Sequence, residues 1–508
     1  VASLGRRIVA NAFSAFASQA ALALVGLVAT AILVRALGIE RFGAWSLVGA
    51  VVAYLGLFDL GLGVALVRRI AAVNGAAADR DGAARALGAT LVATLALGAL
   101  AASLVFLLAS NLAHWLRIPD AHTAEFVTAL RVSGAAAALA LPGVVLGAVP
   151  TAFQRLDALV RLETMVSAVT IMWQAGAALG GGGLVTLAVV SLAGRAASLG
   201  GRLVLAWRMV GPPAGVDWRY PFWRELGRFG ALKLVHQLAS QLVLYLDRLL
   251  VGALVSASAV AYYTVSLELA QRLLVVQQNV AAAFYPAACA LATERAAFTR
   301  LYVRTSRVVS LFTLPLAAAL AIAAEPVLRV WVGEPFVEPS AALLRVVALA
   351  YGGMALTAVP AGAADALNHP EIAARYATFG VALNVALALL LIPPFGPIGA
   401  GWALALNVAL QSPWFVRRVT VSVVGVSLGR YAGEVLGRPL VPAAIVAAAV
   451  GAALAAVGAG TASLGAASAV GLGAFVLAVR ALGAFDEDER RFVSALPGGR
   501  MLRWVVGG

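Results

Sequence analysis

Lys233, His236, Gln237, Ser240, Gln241, Asp247 and Arg248 stand at i, i+3, i+4, i+7, i+8, i+14 and i+15. On a helix of 3.6 residues per turn these positions make one face. Val235, Leu238, Leu242, Val243, Leu246 and Leu249 take the other faces. A second polar stripe follows in Thr264, Glu268, Gln271, Arg272, Gln278 and Asn279. Arginine offers a permanent charge and planar donors that match phosphate or carboxylate oxygens, so these stripes suit an anion. Asp247 and Glu268 stand beside the bases as coupling carboxylates or as packing partners for them. Two readings of the stripes stay open: a hydrated cavity, or hydrogen bonding that glues helices together.

Chemistry of other kinds is poorly served. Asp79-Arg80-Asp81 and Asp486-Glu487-Asp488 match a D-x-D metal-sugar pattern, but no domain around them could hold a sugar nucleotide. No Walker loop occurs, and Gly180–Gly183 reads as a tight turn. The four histidines are scattered and Cys289 is the only cysteine, so neither a metal site nor a disulfide framework is expected. No catalytic residue and no cofactor is expected either.

The elements that position the stripes are membrane helices. The chain has 508 residues, is 62% hydrophobic and 12% charged, and has a mean hydropathy of +0.95. A soluble domain is about one quarter charged, so lipid must cover much of this surface. The apolar residues fall into blocks of about 18 to 27, the length needed to cross a hydrocarbon core. They show no alternation of the barrel kind. The blocks predict an all-α polytopic protein of about fourteen spans. Spans one to six are Ile8–Val34, Gly43–Leu66, Leu87–Ala109, Val127–Pro150, Leu162–Leu179 and Leu184–Leu205. Spans seven to twelve are Phe229–Leu254, Val260–Phe284, Val308–Val330, Ala341–Ala361, Ile372–Ile392 and Gly399–Val416, with Leu440–Val457 and Ala462–Val479 last. The first block is too long for a cleaved signal segment and reads as a retained helix.

Net charge is +14, yet the arginines lie in short loops beside apolar blocks, which excludes a nucleic-acid surface. Placing the N-terminus in the cytoplasm puts about 26 basic residues in tails and alternate loops, against about three outside. Both termini are therefore expected in the cytoplasm. Tripeptides recur in order between the halves: Ala17-Ser18-Gln19 with Ala239-Ser240-Gln241, Leu130-Arg131-Val132 with Leu344-Arg345-Val346, and Ala148-Val149-Pro150 with Ala358-Val359-Pro360. Offsets of roughly 210 to 222 residues predict two parallel six-helix repeats. The organisation expected is an N-terminal lobe at 1–205, a linker at 206–228 and a C-terminal lobe at 229–416. A second linker at 417–439, two further helices at 440–480 and a tail at 481–508 complete it.

Other ionisable residues lie within the blocks, where each costs roughly 2.5–3.5 kcal/mol on insertion scales. Glu268–Arg272 and Glu325–Arg329 have i, i+4 spacing and could pair. Asp59 is close enough to Arg68 and Arg69 to be structural, or it couples transport. Arg131 and Arg345 hold equivalent outer positions, where they snorkel to headgroups or form an anion gate.

Further motifs carry a family resemblance. Arg35-Ala-Leu-Gly-Ile-Glu-Arg-Phe-Gly43, Phe58-Asp59-Leu-Gly-Leu-Gly63 and Val67-Arg68-Arg69 resemble the first hairpin of polysaccharide-repeat flippases. Tyr245-Leu-Asp247-Arg248 with Ala261-Tyr262-Tyr263, and Ala324-Glu325-Pro326 with Trp331-Val-Gly333, resemble their second lobe. These proteins belong to the multidrug/oligosaccharidyl-lipid/polysaccharide exporter superfamily, and the likeness runs over about residues 5–420. It implies paired lobes that alternate access to a central, often cationic cavity in the cytoplasmic membrane. The implied substrate is a polyprenyl-pyrophosphate-linked oligosaccharide, and the implied pathway partners are a polysaccharide polymerase and glycosyltransferases. The cavity candidates are Lys233, His236, Gln237, Gln241, Arg248 and Arg272, with Asp59, Asp247 and Glu268 as carboxylates. The departure lies in the first span, which offers only Asn11, Ser14, Ser18 and Gln19, so a basic cavity would rest on the second lobe. An exporter of small molecules or other lipids on the same scaffold is the alternative. A membrane glycosyltransferase or polymerase is disfavoured by short external loops.

Overall fold

The computed structural model describes residues 2–74, 80–153, 155–211, 245–458, 460–481 and 483. These form helices and turns, with no strand among the described residues. In lipid each backbone N–H and C=O must be satisfied within its own segment, and helices do that. The chain divides into two compact units, Val1–Thr264 and Val265–Gly508.

In the first unit α1 (Ala2–Leu55) runs through both of the first two expected spans. Gly38 alone departs from helical geometry, at φ 77° and ψ 174°, a conformation essentially confined to glycine. A 3-10 turn at Gly56–Asp59 follows, then Leu60 and Gly61 at φ 48° and 75°, then α2 (Leu62–Asn74). The expected second span, Gly43–Leu66, is thus broken within its own Phe58–Gly63 motif. The unit continues with α3 (Arg80–Trp115), α4 (Asp120–Ala152), α5 (Leu156–Leu179), α6 (Leu184–Val210), α7 (helical at 245–254) and the start of α8 (Ala257–Gln271). α4 is the axis: 61% of its apolar window is buried, against 22% in α3 and 28% in α6. Its Val145, Leu146 and Val149 pack with Leu66 and Ile70 of α2, Leu87 of α3 and Val210 of α6. The outward faces carry Leu107, Met165 and Leu179, each more than two-thirds exposed. Such contiguous apolar surface is stable only against lipid.

The second unit holds the end of α8, α9 (Leu274–Ala290), α10 (Arg295–Ile322), α11 (Ala324–Trp331), α12 (Val337–Ala355) and α13 (Ala358–Ala366). α14 (Pro370–Phe395), α15 (Pro397–Arg417), α16 (Leu428–Tyr431), α17 (Arg438–Val457) and α18 (Thr461–Ala481) complete it. The ninth expected span, Val308–Val330, is two helices, and α10 starts well before it. Phe298, Tyr302 and Val303 give that early stretch a buried apolar face, so the helix continues past the apolar block. Residues 417–439, expected as a linker, are largely helical, with π-helical stretches at Arg418–Val424 and Ala432–Gly437 on either side of α16. Tyr302 locks this region by stacking on Tyr431 at 5.5 Å and bonding Thr420 at 2.7 Å. α17 and α18 form a pair on the lobe: Val446 and Val450 pack with Ala323 and Ala467, and Phe475 lies 5.5 Å from Phe312.

Among the described residues nine helical stretches are long and apolar enough to cross a membrane, or ten if α8 and α9 form one span. The difference from fourteen has identifiable sources. Residues 21–71 count once because the Gly38 kink is no loop. α5 and α15 have the length, but Glu163 and Gln174, and Asn407 and Gln411, lower their hydropathy. Most of the seventh expected span lies outside the described residues.

Candidate functional site

In the first unit the site begins on α7. Asp247 is 5% exposed and accepts a hydrogen bond from the Tyr263 hydroxyl of α8 at 3.1 Å. Arg248, next to it, lies with its guanidinium carbon 5.6 Å from the Tyr245 ring centroid, within cation–π range. Its Nε is buried with no hydrogen-bond partner. Lys233, His236, Gln237 and Gln241 lie outside the described residues.

In the second unit the site begins at a break. The eighth expected span, Val260–Phe284, is two helices, α8 and α9, bent by 41° at Arg272–Leu273. No proline or glycine stands there. Instead the backbone tightens to i→i+3 bonds, from Arg272 N to Leu269 O at 3.2 Å and from Leu273 N to Ala270 O at 3.1 Å. Tight turns inside a helix commonly mark functional sites. Broken spans in transporters direct half-helix ends at their substrates. Arg272 occupies the break, just before the N-terminus of α9, whose dipole adds positive potential. Its Nε is buried and unpartnered. The i, i+4 pair expected with Glu268 therefore does not form at that nitrogen. Around the break Gln271 donates to the Tyr351 hydroxyl at 3.2 Å, and Asn279 donates back to Val275 O at 2.7 Å. Gln277 is 8% exposed, whereas Gln278, the residue in the expected stripe, is exposed. The break resets the helical phase, so a stripe counted through Arg272 misses Gln277.

Among the described residues, the buried guanidinium nitrogens without a partner belong to Arg248 and Arg272. Leaving a buried charged donor unsatisfied costs more than the roughly 1–3 kcal/mol of a neutral one. Such a site persists where a ligand or water completes it.

The remaining candidates have local partners. Asp59 is 5% exposed and accepts from Gly63 N at 3.4 Å, so its carboxylate caps the start of α2, where the helix dipole favours it. Arg131 donates to Phe106 O at 3.3 Å and covers the Phe106 ring at 4.3 Å. Arg345 pairs with Glu325 at 2.6 Å, and Arg329 pairs with Glu334 at 2.7 Å. The expected Glu325–Arg329 pair is thus exchanged for partners beyond the end of α11: Arg329 reaches Glu334 in the following turn, and Glu325 reaches Arg345 of α12. Glu325, Arg329 and Arg345 line a cavity of about 350 Å³ with Leu454 of α17.

One intramembrane cluster escaped the sequence reading. Arg202 of α6 donates from Nε to Glu163 Oε1 and from Nη1 to Gly143 O, each at 2.7 Å, and Ser198 donates to the same carboxylate oxygen at 2.7 Å. Ionisable residues within apolar blocks were the available signal, but Glu163 sits at the edge of its block. At the start of α6, Glu125 accepts from Leu184 N at 2.7 Å, capping the helix, and pairs with Arg41 at 3.1 Å.

These broken, two-unit helices have solved counterparts. The structure of the lipid II flippase MurJ in an inward closed conformation aligns with a TM-score of 0.71 at 11% identity, covering 92% of this chain and 98% of that one. An inward-facing multidrug resistance MATE family transporter of the MOP superfamily aligns at 0.65 and 17% identity, over 79% and 95%. A MOP superfamily transporter from Pyrococcus furiosus aligns at 0.52 and 16%, over 80% and 96%. The fold is that of MOP superfamily transporters. In sequence, residues 32–341 match the family described as polysaccharide biosynthesis protein, and the chain belongs to that family. A Shigella flexneri protein named "Putative O-antigen transporter" is 22% identical over 400 residues, 77% of this chain and 92% of that protein.

Proposed function

We propose that this protein is a flippase that carries a polyprenyl-pyrophosphate-linked oligosaccharide from the inner to the outer leaflet of the cytoplasmic membrane, by alternating access. Arg248 and Arg272, half-buried and with buried, unpartnered Nε atoms, carry the reading in a chain of the polysaccharide biosynthesis family. A pyrophosphate crossing a low-dielectric interior needs fixed donors, and arginine supplies them in a geometry that matches phosphate oxygens. Each contact must be modest, since a headgroup held tightly would not leave. Lys233 with His236 receives the headgroup from the cytoplasmic side, Arg272 holds it midway, and Arg248 serves the outer exit. Gln237 and Gln241 hydrate that path. The sequence spacing predicts Lys233 and Arg248 on one helix, which at 1.5 Å per residue would set them roughly 22 Å apart, so they act in succession and not together. Asp247 and Glu268 tune or couple these bases, and Asp59 holds the turn before α2. Arg131 and Arg345 mark the outer rim. Both termini lie in the cytoplasm, and the glycolipid comes from glycosyltransferases and passes to a polymerase of the same pathway.

The second reading is export of small molecules, favoured by the MATE transporter whose fold is shared. An exporter of cations should carry acids unopposed by bases, whereas the stripes here mix both signs. Complementation separates the two. In a bacterium lacking its own O-antigen flippase and supplied with the matching glycolipid, expression of this chain should restore surface polysaccharide without changing dye efflux. Dye efflux without surface polysaccharide would select the second reading.

A further inference from the structure

The first unit carries a basic cavity outside the proposed transport path. It measures about 370 Å³ and lies where α4 ends, α5 begins and α6 ends, lined by Pro150, Phe153, Arg155, Leu205, Arg208 and Met209 among others. None of its lining residues is a carboxylate. Neither guanidinium has a hydrogen-bond or ion-pair partner among the described residues, whereas Arg41, Arg117, Arg131 and Arg202 of the same unit each have one. The rest of the lining is apolar: proline, phenylalanine, alanine, leucine and methionine. The volume falls at the low end for small-ligand sites.

Its depth in the bilayer follows from the sequence. The distribution of arginine assigns these helix ends to the cytoplasmic side. Trp207, beside Arg208, is 48% exposed, and tryptophan concentrates at the headgroup level of membranes. Two unopposed arginines at that level face the phosphates of the inner leaflet, and basic pockets between helices on this side hold anionic headgroups.

We propose that this cavity binds the phosphate headgroup of an anionic phospholipid of the inner leaflet, with its glycerol and upper acyl chain against Phe153, Leu205 and Met209. The site belongs to one unit and shares no residue with the proposed transport path. It anchors that unit to the inner leaflet and makes its stability depend on lipid charge. The proposal rests on the membrane reading and not on the nature of the cargo.

Native mass spectrometry of the full chain, titrated with phosphatidylglycerol, phosphatidylethanolamine, polyprenyl pyrophosphate or inorganic phosphate, tests it. The parent should retain one phosphatidylglycerol about tenfold more tightly than phosphatidylethanolamine. Each arginine near an anionic surface is worth about a factor of five, so R155Q/R208Q should lose roughly twenty- to thirtyfold in that affinity. R155K/R208K should keep most of it, and Arg161→Gln, exposed and outside the cavity, should match the parent. Equal retention by R155Q/R208Q, no preference over phosphatidylethanolamine, or displacement of the phospholipid by inorganic phosphate or polyprenyl pyrophosphate would each overturn the proposal.

Discussion

Replacing Arg202 with methionine should destabilise the first unit, and replacing Glu163 at the same time should largely restore it. Arg202 is 18% and Glu163 27% exposed at the side chain, so this pair is mostly withdrawn from water. Arg202 makes two hydrogen bonds of 2.7 Å, one to the carboxylate and one to Gly143 O. Hydrogen bonds to charged groups contribute about 1.5–3 kcal/mol each, and removing one partner of a buried pair costs about 3–5 kcal/mol. With partial exposure, the expected loss for R202M is about 2–3 kcal/mol. Most of it comes from the Glu163 carboxylate, left with Ser198 as its named donor. In E163M/R202M no charge is stranded, and an apolar replacement of a buried pair is often neutral. The assay is a double-mutant cycle on thermal unfolding of purified protein, read by intrinsic fluorescence. R202M and E163M should each melt well below the parent, with the double variant near it. Additive losses, with the double variant the least stable of all, would refute the reasoning.

Other outcomes follow from the same structure. A Cβ at Gly43 would collide with the Ala257 backbone carbonyl, so Gly43→Ala should lower stability by about 3 kcal/mol, measured as yield and melting midpoint. Reporters fused at Gly75, Gly215 and Gly498 should be cytoplasmic, and those at Ile118 and Pro335 external. An external Gly498 with a cytoplasmic Gly75 would mean an odd number of crossings. With Cys289 replaced, cysteines at Gln237 and Gln241 should react with polar thiol reagents while those at Leu238 and Leu242 resist. Equal protection on both faces would favour packing over a hydrated path.

The membrane class was legible because hydropathy and loop charge report on lipid directly. Family motifs were legible for a different reason: several are places where the backbone bends. Gly43 approaches the Ala257 backbone, and Phe58–Gly63 is the turn into α2 with Asp59 at its head. Helix breaks without proline or glycine were not legible. Nothing in the composition around Arg272 signals a break, because tertiary packing decides there, whereas the break at Ala323 has Pro326 in the first turn of α11, whose ring opposes the carbonyl of Ile322. Partners on another helix were invisible because packing decides them, as Glu325 of α11 with Arg345 of α12 illustrates. Arg248 and Arg272 could be singled out from spacing. Their unpartnered nitrogens could not, since the i, i+4 rule gave Arg272 a carboxylate that its Nε does not meet.

The central claim is that the chain moves a pyrophosphate-linked glycan through contact with Arg272. Its most direct test is translocation in proteoliposomes, with a polyprenyl-pyrophosphate oligosaccharide placed in one leaflet and its appearance in the other read by an impermeant glycan-modifying enzyme. The parent should translocate the glycolipid, and E268Q/R272Q, reconstituted at equal density and equally folded, should lose at least about tenfold in rate, the loss of one charge-assisted contact. Translocation by E268Q/R272Q at the parent's rate would remove Arg272 from the path, and no translocation by the parent would contradict the flippase itself.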